Sequence, residues 1–276
     1  RLRRLRASEP VRRLARETSL AASDFIYPFF VVEGRGVRRE IGPMPGCYQL
    51  SVDRLLPEVV QAADLGAVAL QVSPPLFNDP NQDDMLRYFG ALSDAIDIGV
   101  MIYNTPWWPY GGMTPETFHR MVDFEHIAAI KWSPPEGYVY EDLFDLVDTF
   151  NIIDNSVQPI LNHKLGGRGY VQTVPEYPPF DLRVWELMEE GRYDEASTLY
   201  ESVVPPIREF DRKTLVASGH RGGSKEIMAL MGRPIGMHRP PSEPLDAGEL
   251  VGTQAAIRAG VQHRAGAGVT AVVAVG

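Results

Sequence analysis

Cysteine is nearly absent: the 276 residues contain one, Cys47, which excludes an intramolecular disulfide and any cysteine-built zinc site. Lysine is almost as scarce, with four against 23 arginines. No run approaches the roughly 18 uninterrupted apolar residues of a membrane helix, and no charged-then-apolar signal segment opens the chain. The expectation is a cytoplasmic protein without a membrane partner. Six histidines (His119, His126, His163, His220, His238, His263) are scattered with no two at metal-ligand spacing on one element, so neither a metal nor another cofactor is expected. What is present is the composition of a globular protein with a sizeable core, 44% hydrophobic and 23% charged, long enough for one large α/β barrel or two ordinary domains.

The net charge of -9 is unevenly placed. The segment RLRRLRASEPVRRLAR, residues 1–16, holds seven arginines and one glutamate. Such an arm can bind nucleic acid, but no aromatics are interleaved with the arginines and the remainder of the chain is acidic. Residues 1–24 therefore read as a basic arm that docks on a neighbouring subunit of a homo-oligomer, with no nucleic-acid partner.

From residue 25 onward short apolar runs alternate with amphipathic stretches, each pair about the length of a βα unit. The pattern predicts strands over Phe25 to Val32, Ala67 to Val72, Gly99 to Tyr103, Ile127 to Trp132, Phe150 to Ile153, Gly169 to Gln172 and Val269 to Val275. Helices are predicted over Ser51 to Leu65, Gln82 to Ala95, Thr114 to Phe124 and Tyr140 to Thr149. Repeated β then α implies a parallel sheet with right-handed crossovers. The fold expected is α/β, a TIM (β/α)8-like barrel over 25–175, incomplete or rearranged. A C-terminal helical bundle is expected over 176–260, with helices Asp181 to Glu190, Tyr193 to Glu209 broken at Pro205-Pro206, Ser224 to Met231 and Asp246 to Ala259. Residues 261–276 form a terminal strand expected to complete the barrel.

In a parallel barrel the chemistry gathers at the C-terminal ends of the strands. Lys131 lies near the end of His126-Ile-Ala-Ala-Ile-Lys-Trp, and burial pulls a lysine pKa down, freeing the lone pair that attacks a carbonyl. A lysine whose stem packs in the core while its head reaches water is the alternative, and the strand alone leaves both open. Tyr103, ending Met101-Ile-Tyr-Asn-Thr-Pro, is placed to pass protons during carbinolamine formation and dehydration. Ser73, Asn104 and Asn155 stand at predicted strand ends, where each can bond a substrate carboxylate or hydroxyl or simply form a turn. Gly167 and Val171 mark a stretch where backbone approaches a substrate closely.

The segment from about Ala67 to Arg239 resembles the dihydrodipicolinate synthase and N-acetylneuraminate lyase family. It carries that family's strand-end tyrosine in MIYNTP, its Schiff-base lysine in AAIKWS and its glycine-rich strand in KLGGRGYVQT, with SKEIMALMGRPIGMHRPP echoing the late helices. The resemblance implies a Schiff-base lyase, aldolase or dehydratase, acting on a small 2-keto acid through Lys131 and Tyr103. IKWS, IIDNS and HKLGGRGY look closer to the branch that hydrates, dehydrates or cleaves 2-keto acids and aryl-pyruvates. The first 66 residues resemble a different family, porphobilinogen synthase (5-aminolevulinate dehydratase), whose arm wraps a neighbouring subunit. That family's late pair of catalytic lysine motifs and its cysteine-rich zinc loop have no counterpart here.

The chain thus reads as a composite of two Schiff-base barrel families. The lyase family's second strand ends in a glycine-threonine-threonine-glycine-glutamate turn, whose threonines bind the substrate carboxylate and connect to the tyrosine. Only one predicted helix, Ser51 to Leu65, separates Phe25 to Val32 from Ala67 to Val72, and the turn is missing from the sequence. AGAGVTAVVAVG at the C-terminus resembles a helix end and strand of a missing unit, stopping just before that turn. The alternatives are a porphobilinogen synthase-like dehydratase and a catalytically impaired barrel with an assembly role.

Overall fold

The computed structural model describes residues 29–32, 34–64, 66–75, 79–171, 173–174, 178–218, 225, 228–229 and 233–236. The predicted arm over 1–24 and the terminal strand over 261–276 lie outside them. Contacts divide the chain into a first unit, residues 1–130 with 134–138, and a second, 131–133 with 139–276.

Among its described residues the first unit has three short strands, β1 (Phe30–Val31), β2 (Arg38–Glu40) and β3 (Tyr48–Leu50). β1 pairs parallel with β3, and β2 pairs antiparallel with it. The sequence pattern foresees neither β2 nor β3, because three-residue strands are too short to show a period. Helix α1 (Val52–Asp64) follows, then β4 (Ala69–Val72), helix α2 (Gln82–Ala95), β5 (Gly99–Tyr103), helix α3 (Pro115–His119) and β6 (Ile127–Trp132). β4 and β5 pair parallel in register from Ala69↔Gly99 to Val72↔Ile102.

Helix α2 begins where Asn81 caps it. The Asn81 side chain accepts from Asp84 N–H at 2.9 Å, and the Asp84 carboxylate accepts from Asn81 N–H at 3.1 Å. This reciprocal bonding satisfies donors that every helix start leaves open. Met85, Phe89 and Ser93 recur every fourth residue and are buried, so one face of α2 points inward. At its far end, Ser93 Oγ accepts from His126 N–H at 3.0 Å, which ties α2 to the turn entering β6.

In the first unit the strands hydrogen-bond in the order β4-β5-β6. In the second unit a 3-10 helix (Tyr140–Leu146) precedes β7 (Asn151–Asp154), helix α4 (Pro159–Lys164), helix α5 (Pro178–Glu189) and helix α6 (Tyr193–Ser218). Val184, Leu187 and Met188 of α5 and Ala196, Tyr200, Val203 and Val204 of α6 are buried in one apolar cluster. His163 joins α4 to both, with Nε2 2.9 Å from Glu189 Oε1 and Nδ1 3.1 Å from Tyr193 Oη.

The α/β reading with a parallel sheet holds, and four local expectations are corrected. Helix α6 continues through Pro205-Pro206 to Ser218 instead of breaking. The burial of Val203 and Val204 immediately upstream outweighs the backbone hydrogen bonds that proline removes. The helix predicted over Thr114 to Phe124 shrinks to Pro115–His119, and that over Tyr140 to Thr149 becomes a 3-10 helix. Among the described residues of the strand predicted over Gly169 to Gln172, one bridge forms, Asp154 with Tyr170. Helix α4 has no counterpart in the sequence reading.

Candidate functional site

β6 carries Lys131 in the sequence Ile-Ala-Ala-Ile-Lys-Trp. Strand side chains alternate in direction, so Ile130 and Trp132, both fully buried, point to one face and Lys131 to the other. The Trp132 indole donates to Tyr140 O at 2.9 Å, which fixes the strand end that presents the lysine. Lys131 is half-buried, and that burial lowers its pKa below the ordinary lysine value. Loss of hydration penalises the ammonium form, and the neutral amine is the nucleophile.

Tyr103 is the last residue of β5, half-buried, with its ring edge-on to Trp107 at 6.1 Å between centroids. Asn104, the next residue, is fully buried. Its side chain donates to Met113 O at 3.1 Å and accepts from Met113 N–H at 2.8 Å, closing the loop after β5. Gln82 braces the same loop from α2 by donating to Gly112 O and accepting from Thr114 N–H. Ser73 follows directly on β4 and is partly buried.

The second unit gathers one polar cluster around the end of β6. Ser133 Oγ donates to Asn155 O at 3.0 Å, and Asn155 Nδ2 donates back to Ser133 Oγ at 3.1 Å. Ser156 Oγ lies 3.2 Å from Ser133 Oγ, and Asn155 N–H donates to Trp132 O at 3.0 Å. The loop after β7 is thereby stapled to the residues that follow Lys131. Of the predicted residues, Lys131 and Asn155 share this neighbourhood. Ser133 and Ser156 were not anticipated, although a hydroxyl two residues beyond a strand-end lysine is a signal that AAIKWS contains.

Gly167 and Val171 are engaged with the protein itself. A Cβ at Gly167 would fall 2.4 to 2.6 Å from the Asn162 side-chain amide, so the close approach here is to Asn162. Val171 N–H donates to Asp154 O at 2.9 Å, while its side chain is 41% exposed. An open cleft of about 360 Å³ lined by Arg168, Tyr170, Asp181, Leu182 and Trp185 includes none of the predicted residues. Among the described residues no group of three or more His, Cys, Asp or Glu side chains stands where it could hold a metal ion.

A family model for the dihydrodipicolinate synthetase family matches residues 58–260, and one for delta-aminolevulinic acid dehydratase matches residues 1–95. A 4-hydroxy-tetrahydrodipicolinate synthase from Methanococcus vannielii is 26% identical over 184 residues, covering 65% of this chain and 61% of that protein. A delta-aminolevulinic acid dehydratase from Synechococcus elongatus is 48% identical over 82 residues, 30% of this chain and 24% of that one. The chain thus spans about three fifths of the synthase and a quarter of the dehydratase. The crystal structure of dihydrodipicolinate synthase from Thermotoga maritima superposes with a TM-score of 0.64 at 20% identity, covering 76% of this chain and 72% of that one. The two matched regions overlap over residues 58–95, so the join is broader than the boundary near residue 66 that the motifs suggest.

Proposed function

The chain belongs to the dihydrodipicolinate synthetase family, and from that membership we propose that it is a Schiff-base-forming lyase, aldolase or dehydratase in type, acting on a small 2-keto acid. The observation that carries this reading is Lys131, a half-buried amine near the C-terminal end of a parallel strand, whose burial lowers its pKa below the ordinary lysine value. Its Nζ attacks the keto carbon, forming a C–N bond while the carbonyl oxygen takes up a proton. Loss of water from that carbinolamine leaves an iminium, which accepts the electron pair released when an adjacent C–C bond breaks or a proton is withdrawn. Tyr103, at the end of β5, is the group proposed to carry protons in both steps.

Ser133, Asn155 and Ser156 are proposed to meet the part of the substrate beyond the keto group, with Ser73, Asn104, Gly167 and Val171 as the remaining binding candidates. The parallel strands and their helices are read as part of a TIM-like barrel wall followed by a C-terminal helical bundle. The arm over 1–24 is proposed to join subunits of a cytoplasmic homo-oligomer. No helix among the described residues is long and apolar enough to cross a membrane.

A second reading, a 5-aminolevulinate dehydratase, is favoured by the 48% identity over 82 residues to the Synechococcus protein. One experiment separates the two. The protein is incubated with pyruvate or with 5-aminolevulinate, reduced with borohydride, and the adduct is located by mass spectrometry. A pyruvate adduct on Lys131 is expected. An adduct formed with 5-aminolevulinate alone would favour the second reading, and no adduct with either compound would overturn both.

A further inference from the structure

The loop between β7 and α4 contains Val157 at φ 63°. A β-branched side chain is a genuine outlier there, at an expense of about 1–3 kcal/mol that the surroundings must offset. The Asp154 carboxylate brackets the outlier. Oδ1 accepts from Ser156 N–H at 2.8 Å and Oδ2 accepts from Gln158 N–H at 2.9 Å, one residue on either side of Val157. Tyr140 Oη donates to Oδ1 at 3.0 Å and also lies 3.0 Å from Asn162 Oδ1. Asn162 in turn donates to Gly169 O at 2.9 Å, and Gly167 leaves it room. Asp154 is 1% exposed, and its carboxylate is taken up by Tyr140, Ser156 and Gln158. The loop it closes bears Asn155 and Ser156, the two residues bonded to Ser133 beside Lys131.

We propose that Asp154 is a positioning residue: its carboxylate holds the strained turn at Val157 closed, keeps Asn155 and Ser156 on the Ser133 hydroxyl, and thereby sets how well the site accepts 2-keto acids longer than pyruvate. The proposal rests on the Schiff-base reading for its kinetic consequence. Asp154→Asn keeps the size of the side chain but turns an amide toward one of the two N–H donors, so the turn opens. Glycine at position 157 adopts the same φ without a Cβ in the way, so Val157→Gly removes the strain that Asp154 has to hold.

The test measures half-saturating concentrations for borohydride-trapped adduct on Lys131, with pyruvate and with 4-hydroxy-2-oxopentanoate, counting both intact and cleaved adducts of the latter. In Asp154→Asn the value for the hydroxy acid is expected to rise about tenfold, equivalent to about 1.4 kcal/mol, with pyruvate changed less than about twofold. Asp154→Asn/Val157→Gly is expected to return close to Val157→Gly alone, a recovery that a merely structural loss would not show. Should Asp154→Asn not fold, Tyr140→Phe removes one bond to the carboxylate and is expected to shift the same ratio by about threefold. An equal change for both acids, no change, or no recovery in the double variant overturns the positioning role. Absence of adduct in the unsubstituted protein with either acid overturns the Schiff-base reading instead.

Discussion

Lys131 is held between two fully buried neighbours on its strand, Ile130 and Trp132, and its lowered pKa reflects that partial loss of water. The sign of the consequence for stability follows from linkage. The unfolded chain takes up this proton more readily than the folded one, so stability is highest above the ordinary lysine range and falls with pH down to the folded value. Lys131→Met is therefore expected to abolish the trapped adduct and, in thermal melts at neutral pH, to raise the melting temperature. That gain should vanish above about pH 10.4, where an unperturbed lysine is also neutral. Trapping itself should speed up as pH rises and level off below the pH expected for a free lysine. Tyr200 provides a second test. Its hydroxyl is buried without a hydrogen-bond partner among the described residues, and that burial raises its pKa above the ordinary tyrosine value. Tyr200→Phe is expected to be neutral or stabilising in chemical denaturation, because an unmet buried hydroxyl carries a desolvation penalty of about 1–3 kcal/mol.

At the scale of elements, the caps and close approaches decide more than propensity does. The reciprocal Asn81–Asp84 bonds at the start of α2 should make Asn81→Ala destabilising by about 1 kcal/mol, read as a lower denaturant midpoint at unchanged slope. Gly167→Ala places a Cβ on the Asn162 amide, and overpacking of this kind is expected to destabilise by about 1–3 kcal/mol. The same substitution should weaken the bonds from Asn162 to Ile152 O and Gly169 O. Helix α2 and strands β5 and β6 coincide with their sequence patterns, because each has a run long enough to show its period and a clear boundary residue. Helix α6 departs from its pattern at Pro205-Pro206, since local breaker chemistry is weaker than the burial of Tyr200, Val203 and Val204 in the second unit's core.

For the molecule as a whole, the two family resemblances were legible in AAIKWS, MIYNTP and the arginine-rich opening, and both regions are matched by family models. Removal of residues 1–24 is expected to lower the solution mass measured by light scattering if the arm joins subunits, and an unchanged mass would sink that role. The strand alone left Lys131 open between a nucleophile and a lysine whose head reaches water, and the resemblance carried by AAIKWS and MIYNTP made it the candidate nucleophile. The network around Asp154 could not be read from the sequence. Its members Ser133, Tyr140, Asp154, Ser156 and Asn162 come from β7 and four separate turns or helices. Each alone is an ordinary loop or helix residue. Their hydrogen bonds exist only once the 3-10 helix, β7, α4 and the turn at Ser133 pack together within the second unit, and a buried carboxylate acquires its partners from through-space packing that no local period encodes.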